Sequence, residues 1–282
     1  MTVINTNVAS LNAQAALATN QRGLNKAMEQ LSTGKRINGA ADDAAGLAIA
    51  SKMTAQIRGL NQAVRNANDA ISMVKTAESS TNEITNMLQR MRELSVQSAN
   101  DTNTDDDRAA LQLEFDALRT EINRIGETTE WNGMKILDGS AGANADGDIV
   151  FHVGASSGAG NQITVTFKDF QTGSGDVTDA IDTDDISDQA GATTAIDNID
   201  TALKNVNEQR GTFGAVVNRL QYTVDNLTNI STRTAESRSR IEDADYSQAT
   251  TELAKRQIIQ QAATEMLAQA NQQPQAVLSL LK

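Results

Sequence analysis

The chain has 282 residues, 3% of them aromatic, with one histidine, one proline and no cysteine. Without cysteine there are no disulfides, thiolate metal sites or thiol catalysis, and the lone His152 has no second imidazole with which to bind a metal. The net charge of −12 disfavours nucleic acid and anionic membranes as partners, because clustered Lys and Arg bind phosphate groups. We therefore expect a protein that is not an enzyme and has no cofactor.

The first 21 residues carry no charged side chain but keep apolar residues at helical spacing, among them Ile4, Val8 and Leu11. A solvated helix normally carries Lys and Glu on its outer face. Here that face consists of Asn, Gln, Ser and Thr, which can be buried when hydrogen-bonded. The pattern predicts an interface helix. Neither a signal peptide nor a membrane span is expected, because there is no basic leader and no long apolar run.

A long helix is predicted for residues 44–100, where apolar residues alternate steps of three and four. Its predicted seam, the stripe of side chains facing a partner helix, includes Ile57, Leu60 and Val64. At 1.5 Å per residue such a helix would be roughly 85 Å long. After an acidic turn, a shorter helix is predicted for residues 108–127.

The middle of the chain, residues 131–191, is richer in Gly, Ser, Asp and Thr and shows period-two alternation. Apolar residues alternate in 149–153 and 163–167, which predicts a β-hairpin with one face on the helices. The acidic stretch 171–192 is expected to be a surface loop. The spacing of Asp182, Asp184 and Asp185 loosely resembles a calcium loop, but the EF-hand glycine and distal Glu are missing, so a solvated loop is preferred.

The second half has a matching seam from Ile196 to Leu227 that includes Val217, Leu220 and Val224 and is interrupted at Arg210. The last segment, 266–281, is again free of charge and has apolar residues at helical spacing, among them Met266, Val277 and Leu281. Two charge-free amphipathic ends predict an interface between them, and repeated copies would build a core.

These elements predict a mainly α fold: a long antiparallel coiled-coil helical bundle with a small β-hairpin region and paired N- and C-terminal helices.

Five segments together resemble bacterial flagellins in sequence and order. They are INTNVASLNAQ (4–14), LSTGKRINGAADDAAGLAIA (31–50), MRELSVQSAN (91–100), SRIEDADY (239–246) and LAQANQQPQAVLSLL (267–281). The resemblance covers almost the whole chain. It implies three regions: residues 1–40 and 245–282 would form an inner terminal-helix domain, residues 41–136 and 193–244 a helical rod domain, and residues 137–192 the β-hairpin and a short variable surface loop. It implies a structural subunit that polymerises with itself into the extracellular flagellar filament used for swimming. Longer flagellins carry outer domains between the positions of residues 137 and 193, where this chain has fewer than about sixty residues, so a short form is expected.

The resemblance also implies partners. These are a flagellar export chaperone and export apparatus, the filament cap and the hook-associated proteins. It further implies recognition of the monomer by the host Toll-like receptor for flagellin through Arg90, Leu94 and Glu114. That role competes with packing between neighbouring subunits, and both can hold.

Two alternatives remain to be weighed. A flagellin-like protein of the hook–filament junction shares the paired terminal helices, although segments 31–50 and 267–281 favour the main filament subunit. Some flagellins carry a zinc peptidase insert, which needs a two-His helix motif, and this chain has only His152.

Overall fold

The computed structural model describes residues 6–142, 144–173 and 176–279. Long helices dominate this part of the chain, which confirms the mainly α prediction. They are α1 (Val8–Thr33), α2 (Ala44–Ser98), α3 (Asp105–Thr128), α4 (Gln189–Glu242) and α5 (Tyr246–Ser279). The chain divides into two compact units: unit 1 comprises residues 1–57 and 232–282, and unit 2 comprises residues 58–231.

In unit 1, a network of hydrogen bonds ties the end of α1 to the junction between α4 and α5. Gly34 ends α1 in the left-handed conformation (φ 70°), which glycine adopts without strain. The next residue but one, Arg36, donates from its backbone N–H to Glu242 O at 2.7 Å and from its guanidinium to Ile241 O at 2.7 Å. The hydroxyl of Tyr246 donates to Leu31 O at 2.9 Å. The two terminal helices therefore leave this junction side by side.

In unit 2, α2 and α4 run antiparallel. Arg92 forms a bidentate ion pair with Asp200 (2.7 and 3.2 Å), and the Ser231 hydroxyl donates to Asn61 Oδ1 at 3.0 Å. The buried face of α2 alternates steps of three and four through the unit. Its members are Leu60, Ala63, Ala67, Ala70, Val74, Ala77, Thr81, Ile84, Leu88, Met91, Ser95 and Ser98. Alanine fills much of this seam, so little apolar area is buried per turn.

The predicted seams are close to the observed ones but differ in phase. Leu60, Val217 and Leu220 are buried, as predicted, whereas Val64 and Val224 are half-buried at the flank. Ile57, in unit 1, is also half-buried. Next to Val64 the central position belongs to the smaller Ala63, because close helix packing there leaves room for little more than a methyl group.

At Arg210 the sequence indicated a break in the seam of α4, but the structure continues the seam through Gln209. Gln209 is 3% exposed, and its amide donates to Thr166 O at 2.7 Å. A polar side chain can therefore occupy a core position, because its hydrogen bond compensates for the lost water.

The predicted β-hairpin is confirmed as antiparallel β3 (Asp148–His152) and β4 (Gln162–Thr166). Asn66 of α2 donates to His152 O at 3.0 Å and so anchors β3, as Gln209 anchors β4. Beside the hairpin, the rings of Phe167 and Phe213 pack with their centroids 5.3 Å apart. Four of the five phenylalanines, Phe115, Phe167, Phe170 and Phe213, are fully buried, so the core here is thicker than a coiled-coil seam.

A second, two-residue hairpin was not predicted. It pairs β1 (Glu130–Trp131) with β2 (Met134–Lys135) across the turn Asn132-Gly133. Both turn residues have positive φ (51° and 77°), the conformation of the type I′ hairpin turn. The Asn-Gly dipeptide was the signal that could have revealed it.

Part of the stretch that was predicted as a solvated surface loop, residues 171–192, lies in the core of unit 2. Val177, Ile181 and Ile186 are buried, and α3 holds the loop through polar side chains. Arg119 donates to Asp182 O (2.7 Å) and Asp184 O (3.3 Å), and Gln112 accepts from the backbone N–H of Ile186 at 2.7 Å. The aliphatic residues between the aspartates explain the difference, since they point inward while most of the carboxylates stay at the surface.

Leu220→Asp tests the core of unit 2. Leu220 is fully buried, so the substitution removes its packing and buries a carboxylate. We expect the free energy of unfolding to fall by about 4 kcal/mol or more, measured by urea titration with circular dichroism. Asn218→Asp, two residues away and exposed, should change it by less than about 0.5 kcal/mol. Equal losses in the two variants would contradict the position of the seam.

Asp184→Asn tests the buried carboxyl of the loop. Asp184 Oδ1 accepts from Asn198 at 2.7 Å, whereas Oδ2 is buried with no partner among the described residues. Burial raises the pKa of Asp184, although the hydrogen bond from Asn198 and the charge of Arg119 oppose this. A carboxyl whose pKa is higher in the folded state destabilises the fold once the pH rises above the unfolded value and the group ionises.

The Asp184→Asn variant should therefore have a higher Tm than the unmodified chain at pH 7. The two should converge below about pH 4, where the carboxyl is protonated in both states. In Asp185 the pKa is lowered instead, by hydrogen bonds from Ser187, so Asp185→Asn should not raise the Tm at pH 7. A pH-independent difference between Asp184→Asn and the unmodified chain would refute this assignment.

Candidate assembly surfaces

The helices α1 and α5 form an antiparallel pair in unit 1. Near one end, the Asn7 amide donates to Ala270 O at 2.7 Å, and further along, the Asn20 amide donates to Arg256 O at 2.8 Å. The side of α1 that is at least partly buried repeats at steps of three and four: Ser10, Ala13, Leu17, Asn20, Leu24, Ala27 and Leu31. The corresponding side of α5 is Ala249, Leu253, Arg256, Gln260, Ala263, Leu267 and Ala270.

This pairing buries few side chains fully. In α1 they are Ser10, Asn20, Leu24 and Ala27, and among the described side chains of α5 only Ala249 is fully buried. Small and polar residues predominate, so the α1·α5 pair gains little apolar burial from its own seam.

Large apolar side chains lie outside this seam on both helices. Those with more than a third of their surface exposed are Val8, Leu11, Met28, Ile258, Ile259 and Met266. Val8 is 56% exposed and Met266 63%. We call these six side chains the outer apolar residues. Large apolar groups exposed together along an otherwise charge-poor helix are typical of an interaction surface.

Three of the interface residues predicted from the sequence, Val8, Leu11 and Met266, are among the outer apolar residues. They do not form the seam between α1 and α5, which uses other positions of each helix. Ile4 and Leu281 lie outside the described residues, and Val277 lies outside the described side chains. Met28 and Ile258 were not predicted, because they lie outside the charge-free segments 1–21 and 266–281.

The predicted receptor-recognition residues lie on α2 and α3. Arg90 is half exposed and donates from Nε to Glu114 Oε1 at 2.8 Å and from Nη1 to Glu93 Oε2 at 3.0 Å. These carboxylates, Glu114 first, raise the pKa of Arg90. Leu94 is 1% exposed and belongs to the core of unit 2. The structure therefore brings Arg90 and Glu114 together at the surface and places Leu94 in the core, and the receptor role of these three residues stays a prediction.

The same two helices also carry exposed apolar residues. Val96 of α2 is 50% exposed and Leu113 of α3 is 74% exposed. Val96 lines a shallow groove of about 550 Å³ together with Gln89, Arg92, Glu93 and Gln97. Sequence reasoning missed Val96 and Leu113, although a large aliphatic residue off the predicted seam is the signal that would have found them.

No helix in the described part of the chain is both long and apolar enough to cross a membrane. Within the same residues, no group of three or more His, Asp or Glu side chains is arranged to hold a metal ion.

Comparison with known proteins gives the family. The model of the bacterial flagellin N-terminal helical region matches residues 4–142, and that of the C-terminal helical region matches residues 196–281. A flagellin of Halalkalibacterium halodurans is 46% identical over 280 residues, which cover 99% of this chain and 100% of the relative. Polar flagellin F of Vibrio parahaemolyticus is 36% identical, with 99% of both chains covered.

The alignment with the Vibrio protein extends over 377 positions, so that relative is longer than this chain of 282 residues. The crystal structure of Bacillus cereus flagellin is 34% identical, with a TM-score of 0.50, covering 58% of this chain and 88% of that one. The predicted short form is thereby confirmed, since a full-length relative of 280 aligned residues exists beside the longer ones.

The fold and its exposed apolar helix faces define a helical structural protein built for contact with other copies. The family matches cover most of the chain, and the chain belongs to the bacterial flagellin family. It is a structural subunit of the extracellular flagellar filament, as the resemblance in sequence predicted.

Proposed function

We propose that the chain assembles into the filament through the outer apolar residues of α1 and α5. One observation carries this proposal: Val8, Leu11 and Met266 remain exposed after α1 and α5 have paired. Each helix thus has one stripe for its partner within the chain and a second stripe for neighbouring copies. Contacts that repeat from copy to copy without closing a ring build a helical polymer.

The charge-free ends support this mechanism. Burying a charged side chain between copies would require a partner or a change of protonation, whereas Asn, Gln, Ser and Thr need only hydrogen bonds. We propose that residues 1–40 and 245–282 form the filament core. In the same proposal, residues 41–136 and 193–244 form the helical rod around it, and residues 137–192 form a β-hairpin and variable surface region.

The chain is proposed to act without enzymatic activity or cofactor. On leaving the cell it would meet an export chaperone, the export apparatus, the filament cap and the hook-associated proteins. These partners follow from membership of the family. The hook–filament junction protein is the alternative role, and purified chain alone would decide between them, because a junction protein should not form long filaments by itself.

Met266→Asp tests the polymerisation surface. The new carboxylate would be exposed in the single chain but buried between copies in the filament, where an unpaired charge is strongly unfavourable. We expect the critical concentration for polymerisation to rise at least about a hundredfold, measured by sedimentation and electron microscopy. Melting of the single chain should stay unchanged.

Thr264→Asp is the matched control. Thr264 is exposed on the same helix and lies beside Glu265, in a part of α5 that already carries charge. This variant should polymerise at nearly the concentration of the unmodified chain. Filaments of Met266→Asp forming at an unchanged concentration would show that this face of α5 is not buried in the polymer.

Recognition by the host Toll-like receptor for flagellin is a second proposal. It rests on the exposed Arg90–Glu114 pair and on the segment 89–100, in which the flagellin pattern is kept. An arginine held by two carboxylates is preorganised for contact, and arginine often contributes strongly to the energy of an interface. Leu94 would act only from the core, by keeping α2 in place.

Arg90→Ala should weaken receptor signalling by about tenfold or more, because truncation of a central interface arginine typically costs more than 1 kcal/mol. The measurement is a dose–response curve in reporter cells with soluble monomer. Arg124→Ala is the control, since Arg124 makes a similar exposed pair with Glu121 on α3. If Arg90→Ala and Arg124→Ala give the same curve as the unmodified chain, the receptor surface lies elsewhere.

A further inference from the structure

One end of unit 2 has a basic surface on α2. Between positions 58 and 75 all charged side chains of this helix are exposed, and most are cations: Arg58, Arg65, Asp69 and Lys75. Arg58 and Arg65 are seven residues apart, so they lie on the same side of the helix, away from its buried seam. Arg65 donates to Gln62 Oε1 from Nε and Nη2 (3.1 and 2.6 Å), and neither arginine pairs with a carboxylate among the described residues. We call Arg58 and Arg65 the basic face.

The opposite end of α2 is acidic. The turn from α2 into α3 and the first residues of α3 contain four exposed aspartates: Asp101, Asp105, Asp106 and Asp107. The Gln189 amide donates to Ala99 O at 3.2 Å, so the start of α4 lies beside this turn. The start of α4 adds no positive charge, because the sequence has no Lys or Arg between Lys168 and Lys204. We call Asp101, Asp105 and Asp106 the acidic turn.

Helix stability explains only part of this distribution of charge. Aspartates in the first turn of α3 interact favourably with the helix dipole, and Asp107 completes a capping box with Thr104. Asp101 lies outside the helix, its side chain is 81% exposed, and its carboxylate is 3.9 Å from the Arg108 guanidinium. The dipole also gives no reason for cations at positions 58 and 65, which are not in the last turn of α2. Both surfaces therefore keep exposed charge that the described part of the chain leaves largely unpaired.

The two surfaces are too far apart to meet within one chain. From Arg65 to the end of α2 at Ser98, the helix rises about 50 Å at 1.5 Å per residue. Salt screens charges over roughly 10 Å, so the two ends do not attract each other within a copy. An ion pair between them has to join two copies head to tail. Such a contact leaves one free basic face and one free acidic turn, so it repeats from copy to copy without closing.

We propose that the basic face of one copy binds the acidic turn of the next copy along the filament. This inference rests on the proposed function, because it requires a polymer, but it concerns unit 2 and not the outer apolar residues of α1 and α5. Complementary charge also selects the direction of addition. A copy that arrived in the opposite orientation would bring two surfaces of like charge together, which is strongly unfavourable.

Reversing the charge of each surface tests the contact. The face-reversed chain carries Arg58→Glu and Arg65→Glu, so both of its surfaces are acidic. The turn-reversed chain carries Asp101→Lys, Asp105→Lys and Asp106→Lys, so both of its surfaces are basic. Each chain alone should repel its own copies, and we expect its critical concentration for polymerisation to rise at least about tenfold. The measurement is sedimentation at low ionic strength, where exposed charges are screened least.

An equimolar mixture of the two reversed chains separates this contact from effects on folding. In the mixture, the acidic turn of the face-reversed chain meets the basic face of the turn-reversed chain. The basic turn of the turn-reversed chain likewise meets the acidic face of the other. The mixture should therefore polymerise at nearly the concentration of the unmodified chain, although neither variant does so alone. One chain that carries all five substitutions should behave like the mixture.

A neutral version covers the case in which three lysines disrupt α3, as judged by circular dichroism. Asp101→Asn, Asp105→Asn and Asp106→Asn remove the charge of the turn without reversing it. Added to the face-reversed chain, they abolish the repulsion between like charges, so the combined chain should polymerise at a lower concentration than the face-reversed chain. A combined chain no better than the face-reversed chain would contradict the contact.

Lys204→Glu is the control for the single substitution Arg65→Glu. Lys204 is exposed on α4 beyond the basic face, and its replacement changes the net charge by the same amount. It should leave the critical concentration nearly unchanged, whereas Arg65→Glu should raise it. The proposal is wrong if both reversed chains polymerise like the unmodified chain, or if their mixture is no better than either alone. Neither result decides the role of the outer apolar residues, which Met266→Asp tests separately.

Discussion

Two paired helices can bury only a narrow stripe of each surface, and in α1 and α5 that stripe is filled mainly by alanine and polar side chains. Since an alanine contributes little apolar area, the pair is only weakly stabilised by its own contacts. The larger apolar residues Val8, Leu11 and Met266 lie elsewhere on the helices and stay exposed. In the proposed assembly neighbouring copies cover these side chains, which would couple the stability of the terminal helices to polymerisation.

Unit 2 buries more apolar surface than the α1·α5 pair does. Its α2 seam is also rich in alanine, but the β-hairpin and α3 add a wider core containing Phe115, Phe167 and Phe213. Amide side chains at Asn66 and Gln209 join the hairpin to α2 and α4 by hydrogen bonds to strand carbonyls. Unit 2 therefore has a hydrophobic core within its own residues.

Helix number, helix type and the main hairpin could be predicted from the sequence, because periodicity of 3.5 or 2 residues persists over long segments. It was harder to predict the phase of each seam, that is, which residues face the partner helix. Large aliphatic residues such as Val64 and Val224 draw attention, yet close helix packing selects Ala63 and other small residues for the centre. Exposed apolar residues could be found by the same rule, since an aliphatic residue off the seam, such as Leu113, stays at the surface. Burial of Leu94 could not be seen in a motif that specifies only residue types.

The charge-free ends limit the interactions that can act between α1 and α5. Elsewhere in coiled coils, charged residues beside the seam select partner and register, but residues 1–21 contain none and so cannot do this. Hydrogen bonds from asparagine and glutamine remain as the specific interactions in this part of the pair, at Asn7, Asn20 and Gln260. In this part of the pair, specific contact between the two helices therefore depends on amide hydrogen bonds and not on charge.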